Sequence, residues 1–149
     1  MAHPAGGRLL EGKVAGLRAA GVGVLVSLQT DSERVECDLQ DEERVVRAAG
    51  IQYLCFPIPD RTVPSVDAAE VVVRRVHDAY LSGAHVVFHC WAGVGRSSLM
   101  AGMLLGLEGV APEEAWRLLG EARGRAVPDT AEQADWLDAW WVSRGTSGS

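Results

Sequence analysis

The chain has 149 residues, 48% of them hydrophobic, a size that buries one core and excludes a pair of ordinary domains. A formal charge of −6 excludes a nucleic-acid binder held by a general basic field and leaves room only for a local basic pocket. Cys37, Cys55 and Cys90 form no CxxC pair and no metal-ligand spacing, which excludes a zinc site or redox dithiol and fits a reduced, cytoplasmic setting.

The first thirteen residues lack the basic start and apolar run of a signal peptide, and no apolar stretch reaches membrane-spanning length. A helix is expected over 13–20, closed by Gly21, followed by a buried strand built on Val22, Val24, Leu25 and Val26. A polar turn, Gln29-Thr30-Asp31-Ser32, leads into an acidic segment, 31–40, with no clear element. The pattern then predicts a helix over 42–49 stopped by Gly50, and a strand over 51–58 broken by Pro57 and Pro59.

Residues 59–64 read as a loop. Ser65 or Asp67 caps a helix running to Leu81, whose apolar face is expected from Val66, Ala69, Val72, Val73, Val76 and Tyr80. After Gly83, Val86, Val87 and Phe88 form a short apolar run that suits a central, doubly buried strand ending at Cys90. Gly93 and Gly95 mark a tight loop ahead of a helix over 97–107, and helices over 112–122 and 130–142 follow. Trp116, Trp136, Trp140 and Trp141 are expected to pack an outer layer. Alternating strands and helices imply a single α/β domain over 1–149, its mostly parallel sheet flanked by helices, with an ordered core over 8–143 and a flexible tail over 144–149.

The chemistry concentrates in His89-Cys90-Trp91-Ala92-Gly93-Val94-Gly95-Arg96-Ser97. A thiol and a guanidinium stand at the two ends of a five-residue loop, at the carboxyl end of a strand, where α/β sheets place their ligands. Backbone N–H groups of Trp91, Ala92, Gly93, Val94, Gly95 and Arg96, backed by a helix N-terminus, can cradle a phosphate dianion. Arg96 adds a planar fork that matches two phosphate oxygens. The same positive surroundings favour the thiolate of Cys90, the form that attacks phosphorus. Ser97 can donate a hydrogen bond to that sulfur or simply cap its helix, and His89 is expected to support the loop by hydrogen bonding. Trp91 either walls the pocket or packs beneath it. Asp60, in a proline-framed loop, is the candidate acid that protonates the leaving oxygen and then takes a proton from water, unless it is an ordinary solvated loop residue. Cys37 and Cys55 are expected to be inert.

This HC-x5-R-S segment resembles the signature of the cysteine-dependent protein phosphatases, and the chain is most similar to their small atypical dual-specificity members. Their general acid lies about thirty residues before the cysteine, as Asp60 does before Cys90. The segment from Arg125 to Gln133 resembles their later R-x-x-P-x-x-x-x-x-Q stretch, which implies that Gln133 positions the hydrolytic water. The resemblance implies a phosphatase acting on a phosphorylated protein or a small phosphomonoester, without cofactor, metal, membrane or nucleic acid, as a monomer. Two alternatives stand beside it, a phosphate-binding module without turnover and a rhodanese-type sulfurtransferase.

Overall fold

The structure is a computed structural model that describes residues 1–147. Its elements run α1 (Leu10–Ala19), β1 (Val22–Ser27), α2 (Asp31–Glu36), α3 (Glu42–Ala48), β2 (Gln52–Cys55), α4 (Val66–Leu81), β3 (His85–His89), α5 (Arg96–Leu107), α6 (Pro112–Arg123) and α7 (Ala131–Ser147). Among the described residues the strands form one parallel sheet in the order β2-β1-β3. β1 is therefore central. The expectation that the strand before Cys90 lies in the middle is corrected: among the described residues β3 pairs only with β1, and Val86 and Val87 are partly exposed. An apolar run of that length is shared by central strands and by edge strands covered by helices, so composition alone did not distinguish them.

Side-chain alternation on β1 divides the interior into two cores. Val24 and Val26 point into a larger core with Ala69, Val73 and Val76 of α4, Met100 and Met103 of α5, and Leu137 and Trp140 of α7. Leu25 points the other way, against Leu10 and Val14 of α1 and Val45 and Val46 of α3. Val22 joins Leu25 rather than Val24 because the pairing with β3 slips between Val22 and Val24, at Gly23. Each such buried aliphatic side chain stabilises the fold by roughly 1.5–3 kcal/mol. On α4, Val66 and Tyr80 are exposed, so its buried stripe is narrower than the periodicity implied.

The first six residues of the acidic segment without a clear element, Asp31–Glu36, are helical. Thr30 caps α2 by accepting a hydrogen bond from the Glu33 N–H (3.4 Å), while Glu33 accepts one from the Thr30 N–H (2.8 Å). This reciprocal pairing is the capping box that Thr-x-x-Glu encodes. Trp140 is buried in the larger core, not in an outer layer; Gly106 leaves space that a β-carbon would deny it, 2.6 Å from its ring. α7 continues through Ser147, so the flexible tail expected from 144 is helical as far as it is described, and 148–149 lie outside the described residues. Its last turns gain from Arg144 stacking over Trp140, 4.9 Å from the ring centroid.

Candidate active site

The carboxyl ends of all three strands converge on the loop after β3. β1 continues through Leu28, whose N–H donates to the His89 carbonyl (2.9 Å), and the chain after β2 is held when the Ile58 N–H donates to the Leu28 carbonyl (3.0 Å). These two bonds bring the Asp60 loop beside Cys90. Gly93 turns the phosphate loop with φ of +74°, a conformation that L side chains resist. Gly95 is needed for a different reason: a β-carbon there would lie 2.8 Å from the Gln133 amide.

Cys90 is 3% exposed, and its sulfur lies 3.3 Å from the Ser97 hydroxyl. Burial alone pushes this thiol up. Hydrogen bonds from the Ser97 hydroxyl and from the Ser97 and Gly93 N–H groups, with the charge of Arg96, overcome it and hold the thiol below its ordinary value. Cys37 and Cys55 are pushed up instead, first by burial. At neutral pH, iodoacetate should therefore carboxymethylate Cys90 at least about tenfold faster than exposed Cys55, as read by peptide mapping. Equal labelling would show that the loop does not activate its thiol.

Arg96 is buried and heavily engaged. Nη1 and Nη2 donate to the two carboxylate oxygens of Glu33 (both 2.7 Å), and Nη1 also donates to the Ile58 carbonyl (2.8 Å). Asp60 Oδ1 lies 3.3 Å from Nη2. Burial raises the Glu33 carboxyl, but Arg96 and Thr30 outweigh it and hold the group below its ordinary value. Glu33 was missed in the sequence, although the Thr30-x-x-Glu33 capping pattern marked where it would be fixed.

Asp60 sits on an exposed turn secured by the Thr62 hydroxyl donating to the Pro59 carbonyl (2.7 Å), with its side chain 63% exposed. It lines an open depression of about 530 Å³ with Thr30, Ser32, Glu33, Glu36, Pro59 and Trp91. Trp91 is 41% exposed, so it walls this mouth rather than packing beneath the loop, and His3 meets its ring edge-on at 5.5 Å. Ala92 and Gly93 are braced from behind by Arg123 of α6, which donates to both carbonyls (3.1 and 3.0 Å). Nothing in the local pattern pointed to Arg123.

Gln133 is fully buried at the start of α7. Its side-chain oxygen accepts from the Asp129 and Thr130 N–H groups (3.1 and 3.2 Å), and its amide donates to the Thr62 carbonyl (3.4 Å). It ties α7, the Asp60 loop and Gly95 together. His89 is also fully buried, with Nδ1 3.3 Å from the Cys90 carbonyl and Nε2 2.8 Å from the carboxylate of Glu42, a second acid that the sequence did not single out.

Known proteins resemble this chain in sequence or in fold. Cyclin-dependent kinase inhibitor 3 of Mus musculus is 29% identical over 89 residues, covering 59% of this chain and 42% of that protein, so the chain spans under half the length of the curated relatives it matches. A kinase-associated phosphatase crystallised with serine in place of its catalytic cysteine superposes with a TM-score of 0.86 over 97% of this chain and 85% of that one, at 20% identity, a likeness of fold. Tk-PTP in its active form superposes with a TM-score of 0.76 over 89% of this chain and 86% of that one, at 28% identity. The family model described as "Polymorphic toxin system, DSP-PTPase phosphatase" matches residues 1–109, from the first helix through the phosphate loop and α5. With its cysteine, arginine and glycine loop in place at the end of a parallel sheet, the chain belongs to this DSP-PTPase phosphatase family, among the cysteine-dependent phosphatases.

Proposed function

We propose that the chain hydrolyses phosphomonoesters on proteins, phosphotyrosine and with it phosphoserine or phosphothreonine, through a phosphocysteine intermediate. The observation that carries this reading is a buried thiol held below its ordinary value inside a loop whose far end is a clamped arginine. Backbone N–H groups of residues 91–96 and the Arg96 fork hold the phosphoryl oxygens. The Cys90 thiolate attacks phosphorus, forming the S–P bond as the P–O bond to the leaving group breaks, and Asp60 gives that oxygen its proton. Water then attacks phosphorus while Asp60 accepts its proton. The S–P bond breaks, inorganic phosphate leaves, and the returning thiolate is met by the Ser97 hydroxyl.

The likeness to kinase-associated phosphatase and cyclin-dependent kinase inhibitor 3 supports a phosphoprotein substrate. A structural neighbour, PTPMT1, was crystallised with PI(5)P. Here Glu33, Glu36 and Asp60 line the mouth, and such carboxylates repel a ligand carrying further phosphates. We place the protein in a reducing, cytoplasmic setting as a monomer, with no cofactor in the reaction.

The test is a series of aryl phosphates of rising leaving-group pKa, with orthovanadate as competitor. Wild type should show vanadate-sensitive turnover across the series. Asp60→Asn should slow phenyl phosphate by about 10²–10³-fold and activated aryl phosphates by about tenfold or less, since only poor leaving groups need the proton. Equal losses at both ends of the series would remove Asp60 as the acid. Vanadate binding without any turnover in wild type would instead make the chain a phosphate-binding module.

A further inference from the structure

The phosphate loop turns on a residue that does little to fix its own backbone. Gly93, at φ of +74°, has no β-carbon to oppose rotation of the peptide units on either side of it, so local sterics do not hold those two units in place. One unit carries the Ala92 carbonyl and the Gly93 N–H, the other the Gly93 carbonyl and the Val94 N–H. Arg123, the last residue of α6, engages both: Nη2 donates to the Ala92 carbonyl (3.1 Å) and Nε to the Gly93 carbonyl (3.0 Å). Among the described residues it pairs with no carboxylate, so this guanidinium is committed to the loop. Arg123 also lies beyond residues 1–109, the part of the chain that the family model matches.

A trans peptide is planar, with its carbonyl and its N–H pointing opposite ways. Two carbonyls drawn to one flat guanidinium behind the loop therefore leave both N–H groups aimed away from it, toward the loop's interior. We propose that Arg123 is a positioning residue that fixes the two peptide units flanking Gly93, so that the Gly93 and Val94 N–H groups face the Cys90 sulfur and the phosphoryl oxygens, an inference that rests on reading the loop as a phosphate site. One of the two already shows this aim: the Gly93 N–H donates to the Cys90 sulfur and helps to hold the thiol below its ordinary value. Turning either unit over would present a carbonyl oxygen to the thiolate and to phosphate, exchanging attraction for repulsion.

The consequence is that α6 takes part in anion binding without touching the anion. Arg123→Ala leaves the peptides around Gly93 free to turn, so orthovanadate, a phosphate analogue, should bind about tenfold more weakly. The Gly93 N–H then meets the sulfur for only part of the time. The Cys90 thiol rises as a result, and its reactivity moves toward alkaline pH by about half a unit. Arg123→Lys separates geometry from charge: lysine keeps the charge but offers a point donor in place of a fork, so it should recover only part of either loss.

The experiment measures the orthovanadate dissociation constant by calorimetry and the pH midpoint of Cys90 carboxymethylation by iodoacetate, in wild type, Arg123→Ala and Arg123→Lys. Neither readout needs turnover, so a wild type that binds vanadate but hydrolyses no phosphate ester would sink the phosphatase reading and leave this measurement intact. The expected result is weaker vanadate binding and a raised midpoint in Arg123→Ala, with Arg123→Lys between it and wild type. A wild-type value for either readout in Arg123→Ala would overturn the proposal, since one peptide geometry governs both, and a brace that only stabilised the fold would lower Tm and move neither. Full recovery in Arg123→Lys would also overturn it, by showing that charge alone acts from behind the loop. If Arg123→Ala does not fold, Arg123→Lys decides: vanadate binding weaker by about threefold or more upholds the proposal, and wild-type binding overturns it.

Discussion

Cys90→Ser should abolish phosphate ester hydrolysis, with kcat at least about 10⁵-fold below wild type, in line with the loss of other covalent nucleophiles. The surroundings of Cys90 lower a thiol into reach of neutral pH, but a serine hydroxyl starts far higher, and Ser97 with two backbone N–H groups does not ionise it. The replacement is nearly isosteric at a site that is 3% exposed, so the fold should change by less than about 1 kcal/mol. Arg96 and the loop N–H groups remain. Binding of a phosphopeptide or orthophosphate should therefore survive, measurable by calorimetry, while turnover does not. Residual turnover above about 1% of wild type would mean that another residue, or water acting directly, attacks phosphorus.

The second large effect is expected at Glu33, which touches no substrate. Glu33→Ala removes both carboxylate acceptors of the Arg96 fork and leaves a buried guanidinium held by the Ile58 and Leu28 carbonyls (2.8 and 3.4 Å) and by Asp60 at 3.3 Å. Breaking a fully buried ion pair costs about 3–5 kcal/mol; with these contacts remaining, a loss nearer 2 kcal/mol is expected, a fall in Tm of about 4–8 °C. A fork free to rotate no longer meets two phosphoryl oxygens at once, so kcat/KM should drop about 10²-fold. Glu33→Gln, which keeps one acceptor, should lie between. The clamp also carries a pH dependence: a carboxyl held below its ordinary value stabilises the fold above its unfolded pKa, and that contribution is lost as pH falls through the folded one. Wild-type kcat/KM in Glu33→Ala would show that Arg96 is oriented by its backbone contacts alone.

Much of this site could be read along the chain because its parts are local. Cys90, Gly93, Gly95, Arg96 and Ser97 lie within eight consecutive positions, and a strand, a tight turn and a helix leave such a segment one way to fold around an anion. The Asp60 loop could be found for a similar reason, as a proline-framed loop after a strand, and the structure sets its carboxylate 3.3 Å from Arg96. Glu33 was overlooked because the segment around it was judged by its charge, although Thr30 and Glu33 already spelled a helix start. The central position expected for the strand before Cys90 failed because strand order is a property of pairing, and β1, not β3, has a partner on each edge.

The α/β alternation, the single domain and the cysteine–arginine loop were determined by the sequence, since these depend on periodicity, turn residues and short spacings; the division of the interior into two cores was not. Only the tertiary structure decided which charges face one another. Glu33 reaches Arg96 from sixty-three positions away, Glu42 reaches His89 from forty-seven, and Arg123 reaches Gly93 from thirty. A carboxylate on a short amphipathic helix has the same local signature whether it meets water or a buried imidazole. The difference lies in the burial that packing imposes, and packing is settled by the whole chain at once.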